Sequence, residues 1–238
     1  MAATKRELLK LGELDFSLHT LPEGEVGQEY SDEELSDTDA FLIECLAWGL
    51  LQVHDIKAPP VDVREILEHP LPIFKRLTLL ELSLGLYDAA YRSCLDGSRL
   101  IVVDPARSRV TQRAGMAREL YVAFCHSQRA IELHWPRREQ PHAYSDFFAR
   151  CLLMPAAWVQ TACAETISLE TLAARFDVPI QIMTERLGEV ARRHPRSDLR
   201  ESLTEALFSL KEPWRDRFLD FVANEFLEKP QTPPRCFP

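Results

Sequence analysis

Apolar residues recur through the middle of the chain at spacings that predict helices, interrupted once by runs that behave like strands. Over 39–54, Phe41, Ile43, Leu46, Leu50 and Leu51 form one broad apolar face, and the Ser36–Asp39 cluster supplies N-cap candidates. In "KAPPVDVREILEH", Pro59 and Pro60 set an extended entry, and Asp62 is placed to cap a short helix carrying Val63, Ile66 and Leu67. The pattern changes in "GLYDAAYRSCLDGSRLIVVDP", where β-like runs near 86–94 and 99–103 flank Asp96-Gly97, a hairpin signal. A helix over about 111–126 follows, with Met116, Leu120, Ala123 and Phe124 as its inward stripe.

The polar segment 127–142, "SQRAIELHWPRREQPH", is broken by prolines and predicts a loop. From Tyr144, "YSDFFARCLLM" predicts a helix that stops at Pro155. Two amphipathic helices follow, "SLETLAARF", capped by Ser168, and "IQIMTERLGEVARR", joined through "DVP". These patterns imply an α+β fold, mostly helical, with a small β-sheet packed on several helices.

The ends read differently. Residues 4–18 suit a short helix, and 23–39 hold eight acidic residues and no basic one, the mark of a solvated linker or arm. The domain reading is therefore 1–39 as helix and linker, 40–193 as the core domain and 194–238 as an addition. In that addition, a helix beginning near Pro213 carries an aromatic stripe of Trp214, Phe218, Phe221 and Phe226, followed by the proline-rich tail "PQTPPRCFP". The stripe is expected to dock on the core or to meet a partner.

Composition narrows the classes. With 238 residues, 46% hydrophobic and 27% charged, the chain resembles an ordinary globular protein. A formal net charge of −9 argues against a surface built throughout for phosphate backbones and leaves room only for local basic patches. The N-terminus lacks an apolar signal core, and "FLIECLAWGLLQV" is interrupted by Glu44 and Gln52 and too short for a bilayer, so a cytoplasmic chain with no membrane partner is expected. Six scattered cysteines with no C-x-x-C suggest neither a disulfide framework nor a zinc ribbon. No glycine-rich phosphate loop is present, and the adjacent Cys125 and His126 would point in different directions on a helix, which argues against a Cys–His dyad.

Four segments in order, "PPVDVREIL" (59–67), "LIVVDPARSRVTQRAGMARELYVAFCH" (100–126), "FFARCLLMP" (147–155) and "LAARFDVPIQIMTERL" (172–187), resemble the ImmA/IrrE family of zinc-dependent peptidases over about 40–190. The resemblance implies a zincin-like metallopeptidase core. It also implies H-E-x-x-H on the central helix, because histidines at i and i+4 share a helical face and reach one Zn²⁺ while the glutamate serves as general base. Alignment on "RELYV" places Arg118 and Val122 at the histidine positions and leaves only Glu119, the one candidate catalytic residue. The family's third ligand, an acidic residue, falls at Tyr144 or its neighbours Ser145 and Asp146. Valine cannot bind zinc, and arginine is a permanent cation.

The resemblance therefore implies a member that keeps the scaffold without the metal site. The expected function is that of a non-catalytic regulatory or partner-binding protein in a phage, mobile-element or stress-response setting, with a transcriptional repressor as the partner class and no cofactor. Its expected binding cleft comprises Arg118, Glu119, Val122, His126 and Tyr144, with Glu119 paired to Arg113, Arg118 or Arg150. Two alternatives stay open. One is an active zinc peptidase with a relocated site drawn from Glu119, His126, His142 and Asp146, with Cys125 and His134 nearby. The other is a DNA-binding regulator that uses the helix-turn-helix-like pair 168–193, in which Arg186, Arg192 and Arg193 would contact phosphates. Against DNA readout, the second helix opens with the largely apolar "PIQIMTE", which suits a packing pair.

Overall fold

The first described helix begins where the sequence offers a cap. In the computed structural model, which describes residues 35–94, 96–133, 135 and 141–193, Ser36 Oγ accepts the Asp39 N–H at 3.1 Å and opens α1 (Asp37–Val53). Asp37 and Asp39 in its first turn suit the positive end of the helix dipole. The five apolar residues assigned to its inner face are all buried, as are Ala40, Leu42, Glu44 and Ala47, so α1 is a core helix rather than a surface one. Asp62 caps α2 (Val63–Glu68) through the N–H groups of Arg64 and Glu65. The expected helices at 4–18 and beyond Pro213, the acidic linker up to residue 34 and the proline-rich tail lie outside the described residues.

A three-stranded sheet follows, ordered β1 (Leu77–Glu81), β3 (Arg99–Val103), β2 (Ala89–Ser93), with β1 parallel and β2 antiparallel to the central β3. Ile101, Val102 and Val103 are all buried, as a strand covered on both faces requires. The Asp96-Gly97 hairpin forms as expected: Gly97 takes φ +78°, and Asp96 Oδ1 accepts the Ser98 N–H. The strand expected over 86–94 is shorter, because Leu84–Asp88 makes a turn in which Asp104 accepts the Leu84 N–H at 3.1 Å and Gly85 has φ +64°. Strand β1 was not expected. Its residues, "LTLLE", lack clean alternation and lie only half-buried at the sheet edge.

Ser108 caps the long helix α3 (Arg109–Cys125), whose stripe of Met116, Leu120, Ala123 and Phe124 is buried as its spacing predicts. Gly115 lets this helix sit tightly on β2, since a Cβ there would stand 2.9 Å from that of Ala89. The segment read as a loop over 127–142 needs correction. It contains a short helix, α4 (Gln128–Glu132), capped by Ser127, and its last residues open α5 (Pro141–Leu153), with proline at a position where no intrahelical N–H is needed. Helix α5 packs between α1 and α3, with Tyr121 and Phe148 rings 5.2 Å apart. Pro155 ends one helix and caps the next, α6 (Ala156–Glu165), which the sequence reading missed.

Ser168 caps α7 (Leu169–Phe176), which is joined by a turn at the left-handed Asp177 to α8 (Ile180–Arg193). Two long-range arginine contacts fix this pair to the core. Arg113 of α3, buried, donates to the Asp177 carboxylate and carbonyl at 2.6 Å and to Val61 O at 3.1 Å. Arg186 of α8, only 1% exposed, donates to Glu44 Oε1 of α1 at 2.9 Å, to Met154 O at 3.0 Å and to Glu189 at 3.3 Å. Arg150 closes the cluster on Glu189 at 2.7 Å. The expectation that Arg186 is available to phosphates is thereby corrected: its charge is spent on buried carboxylates. Arg193 is likewise engaged, by Asp37 at 2.6 Å.

No single helix among the described residues is long and apolar enough to cross a membrane. The apolar pair His142–Leu153 and Ala156–Glu165 bends by 53° at its break.

Removing Arg186 takes its buried charge away from Glu44, while Glu189 keeps Arg150. The Arg186→Met variant is expected to lose about 3–5 kcal/mol of stability in urea unfolding, because the buried cation at the centre of the Glu44–Glu189 cluster is removed. A loss under about 1 kcal/mol would contradict a structural role for the cluster.

Candidate functional site

The face of α3 that carries "RELYV" meets the turn before β2 on one side and α5 on the other. Arg118 is the first residue of interest, with about a third of its side chain exposed. Its guanidinium lies 3.5 Å from Asp88 Oδ2 of the turn and 3.5 Å from Asp146 Oδ1 of α5. Asp88 also pairs with Arg107 at 3.2 Å, so four alternating charges run across the site. At 3.5 Å the Arg118 contacts are looser than a charge-assisted hydrogen bond of about 2.8 Å. They hold a cation between two carboxylates without clamping it.

Glu119 points to the sheet. Its Oε2 accepts the backbone N–H of Tyr91 at 2.8 Å. Because β2 is the sheet's edge, that N–H has no ladder partner, and the carboxylate serves in place of a neighbouring strand. Burial pushes the Glu119 carboxyl up to about 7. The Tyr91 N–H, Arg118 and Arg92 pull the other way, and Asp146 adds to the rise. The expectation that Glu119 pairs with Arg113 or Arg150 is corrected here, since Arg113 is committed to Asp177 and Arg150 to Glu185 and Glu189.

The remaining expected site residues spread out. Val122 is half-buried one turn beyond Arg118. His126 forms the C-cap of α3, exposed, with its ring stacked on Tyr91 at 5.3 Å. Tyr144, expected to line the cleft, is buried and donates its hydroxyl to Asp39 at 2.8 Å. It turns into the core because a phenol there satisfies a buried carboxylate. His142 is exposed in the first turn of α5, and His134 lies outside the described residues. The sequence reading missed Asp88 and Tyr91, the partners of Arg118 and Glu119. No motif announces them, since one sits in a turn and the other contributes only its backbone.

Residues 76–188 match the family model described as IrrE N-terminal-like domain. The chain carries a domain of the ImmA/IrrE family. The mostly helical α+β architecture with its small mixed sheet fits the zincin-like fold of that family. The match spans the strand-helix segment, "FFARCLLMP" and "LAARFDVPIQIMTERL"; "PPVDVREIL" precedes it. No curated protein matches the chain significantly.

Zinc, the metal that the ImmA/IrrE resemblance implies, does not fit the side chains at this site. The positions that the resemblance aligns with its histidines carry a guanidinium and an isopropyl group, and Asp146 faces the guanidinium. The set Glu119, His126, His142 and Asp146 is not drawn together either: among the described residues, no three His, Cys, Asp or Glu side chains lie close enough to hold a metal ion. What the arrangement offers is a hydrogen-bonded carboxylate of near-neutral pKa and a tethered cation.

Since burial raises the folded-state pKa of Glu119 above its ordinary 4.5, the folded chain holds that proton more tightly than the unfolded chain. Stability should therefore fall as pH rises from about 4.5 to about 7 and level off above. The Glu119→Gln variant keeps an oxygen acceptor for Tyr91 and loses this dependence. Relative to wild type, it should gain on the order of 2–3 kcal/mol between about pH 4 and about pH 8, after allowance for partial exposure. Parallel stability curves would contradict the assignment.

Proposed function

We propose that this chain is a non-catalytic, cytoplasmic member of the ImmA/IrrE family that acts by binding a partner protein. The observation that carries the reading is Arg118 at the first histidine position, its charge directed to Asp88 and Asp146 while Glu119 is held by the Tyr91 N–H. Peptide hydrolysis of the family's kind needs a Lewis acid and a polarised water as well as a base. Glu119 has the pKa of a general base without a partner to activate a nucleophile. The cleft residues Arg118, Glu119, Val122 and His126 are read as a recognition surface.

The family resemblance suggests the setting: a phage, mobile-element or stress-response system in which the partner is a transcriptional repressor, engaged without being cut. DNA binding through 168–193 is less favoured, because α8 spends Arg186 on Glu44 and Glu189 and buries Met183 and Val190.

The test is hydrolysis itself. The full chain, supplied with zinc and incubated with a proteome-derived peptide library read by mass spectrometry, is expected to generate no new cleavage sites beyond those seen with Glu119→Gln. Zinc-dependent sites that disappear both in Glu119→Gln and on chelation would overturn the proposal.

A further inference from the structure

A pocket of about 570 Å³ opens beyond the C-terminal end of α3, between the 3₁₀ turn at Pro72–Phe74, the tip of the β2–β3 hairpin and α4. Its volume falls within the range of small-molecule sites. Cations dominate its wall. Lys75, Arg76, Arg99 and Arg129 line it, and Glu132 is the one carboxylate residue among the lining residues. Glu132 is half exposed and lies 3.4 Å from Arg129, which leaves three cations facing no lining carboxylate.

How those three are held matters. Arg99 donates to the carbonyls of Lys75 and Ile73 at 2.5 and 3.3 Å, and Arg76 donates to the Asp96 carbonyl at 2.9 Å. Neutral carbonyls fix the position of a guanidinium without cancelling its charge. The Asp96 carboxylate is hydrogen-bonded to the Ser98 N–H and hydroxyl and offsets the Arg76 charge only in part. Lys75 is exposed and has no ion pair among the described residues. Gly97 keeps the rim open, since a Cβ there would stand 3.2 Å from Arg76 Nη1.

A second observation comes from the sheet. Tyr91 stacks on the pocket residue His126, and its hydroxyl lies where Arg99 and Ser93 act on it, which ties β2 to the pocket wall. Meanwhile Pro72 and Ile73 add an apolar strip beside the cations.

We infer that this pocket binds a small phosphate-bearing molecule, its phosphate held by Lys75, Arg76 and Arg99 and its organic part lying on Pro72 and Ile73. Three neighbouring positive charges call for more than one negative charge on the ligand, and a guanidinium fork matches phosphate oxygens in pairs. The pocket lies beyond the C-terminal end of α3, about two turns from Arg118, and shares only His126 with the proposed recognition surface, so it does not rest on that reading.

The test uses inorganic pyrophosphate as probe, titrated calorimetrically into the full chain at near-physiological sodium chloride. Saturable binding at one site is expected, weakened at least about tenfold in Lys75→Gln/Arg76→Gln. The control Lys57→Gln/Arg175→Gln removes the same charge at residues that do not line the pocket and should bind as wild type does. Lys75→Gln alone, a change at an exposed side chain, should move affinity in the same direction with an unchanged melting midpoint. Absence of saturable binding, or equal weakening in the pocket and control variants, would overturn the inference.

Discussion

The seat of α3 on the edge of the sheet governs everything else in this domain. Gly115 brings the helix against Ala89, and one turn later Glu119 accepts the Tyr91 N–H at 2.8 Å. An edge strand buried against a helix must have its outward N–H groups satisfied, and an unsatisfied one costs about 1–3 kcal/mol. A carboxylate supplied by the helix meets that need and fixes the helix in rotation and register. With Glu119 turned to the sheet, Arg118 is presented toward Asp88 and Asp146, and His126 stacks on Tyr91 at the far end.

The same constraint separates scaffold from chemistry. A zinc site would use this face of α3 to gather neutral imidazoles around a dication, whereas here a single tethered charge reaches the two carboxylates loosely. Partly exposed pairs at such distances contribute about 0–1 kcal/mol, so Arg118 contributes little to stability. Stability comes from elsewhere: the buried aromatic and aliphatic residues of α1, α3 and α5, and the charge cluster around Arg186 that ties α8 to α1.

Much of this fold is legible from local sequence, and the exceptions share a cause. Caps at Ser36, Asp62 and Ser168, the apolar stripe of α3 and the Asp96-Gly97 turn act within a few residues, so pattern and chemistry coincide. Pro155 misleads because a proline that stops one helix equally starts another, and β1 hides because "LTLLE" lacks the apolar–polar alternation that usually marks a half-buried strand. The site is legible only as far as the resemblance goes, which aligns Arg118 and Val122 with the family's histidines. Its positive description is not. Arg113 finds Asp177 across 64 residues and Arg186 finds Glu44 across 142, and neither pairing leaves a local mark. Nor can a sequence disclose that the partner of Glu119 is a backbone N–H.

The measurement that bears most directly on this account is zinc content by elemental mass spectrometry, made on untagged full-length protein loaded with zinc and then desalted. The account predicts no retained zinc in the wild-type chain and the same result in a Glu119→Gln/His126→Ala variant. About one zinc per chain, lost in that variant, would contradict it and restore the helix to a metal-binding role.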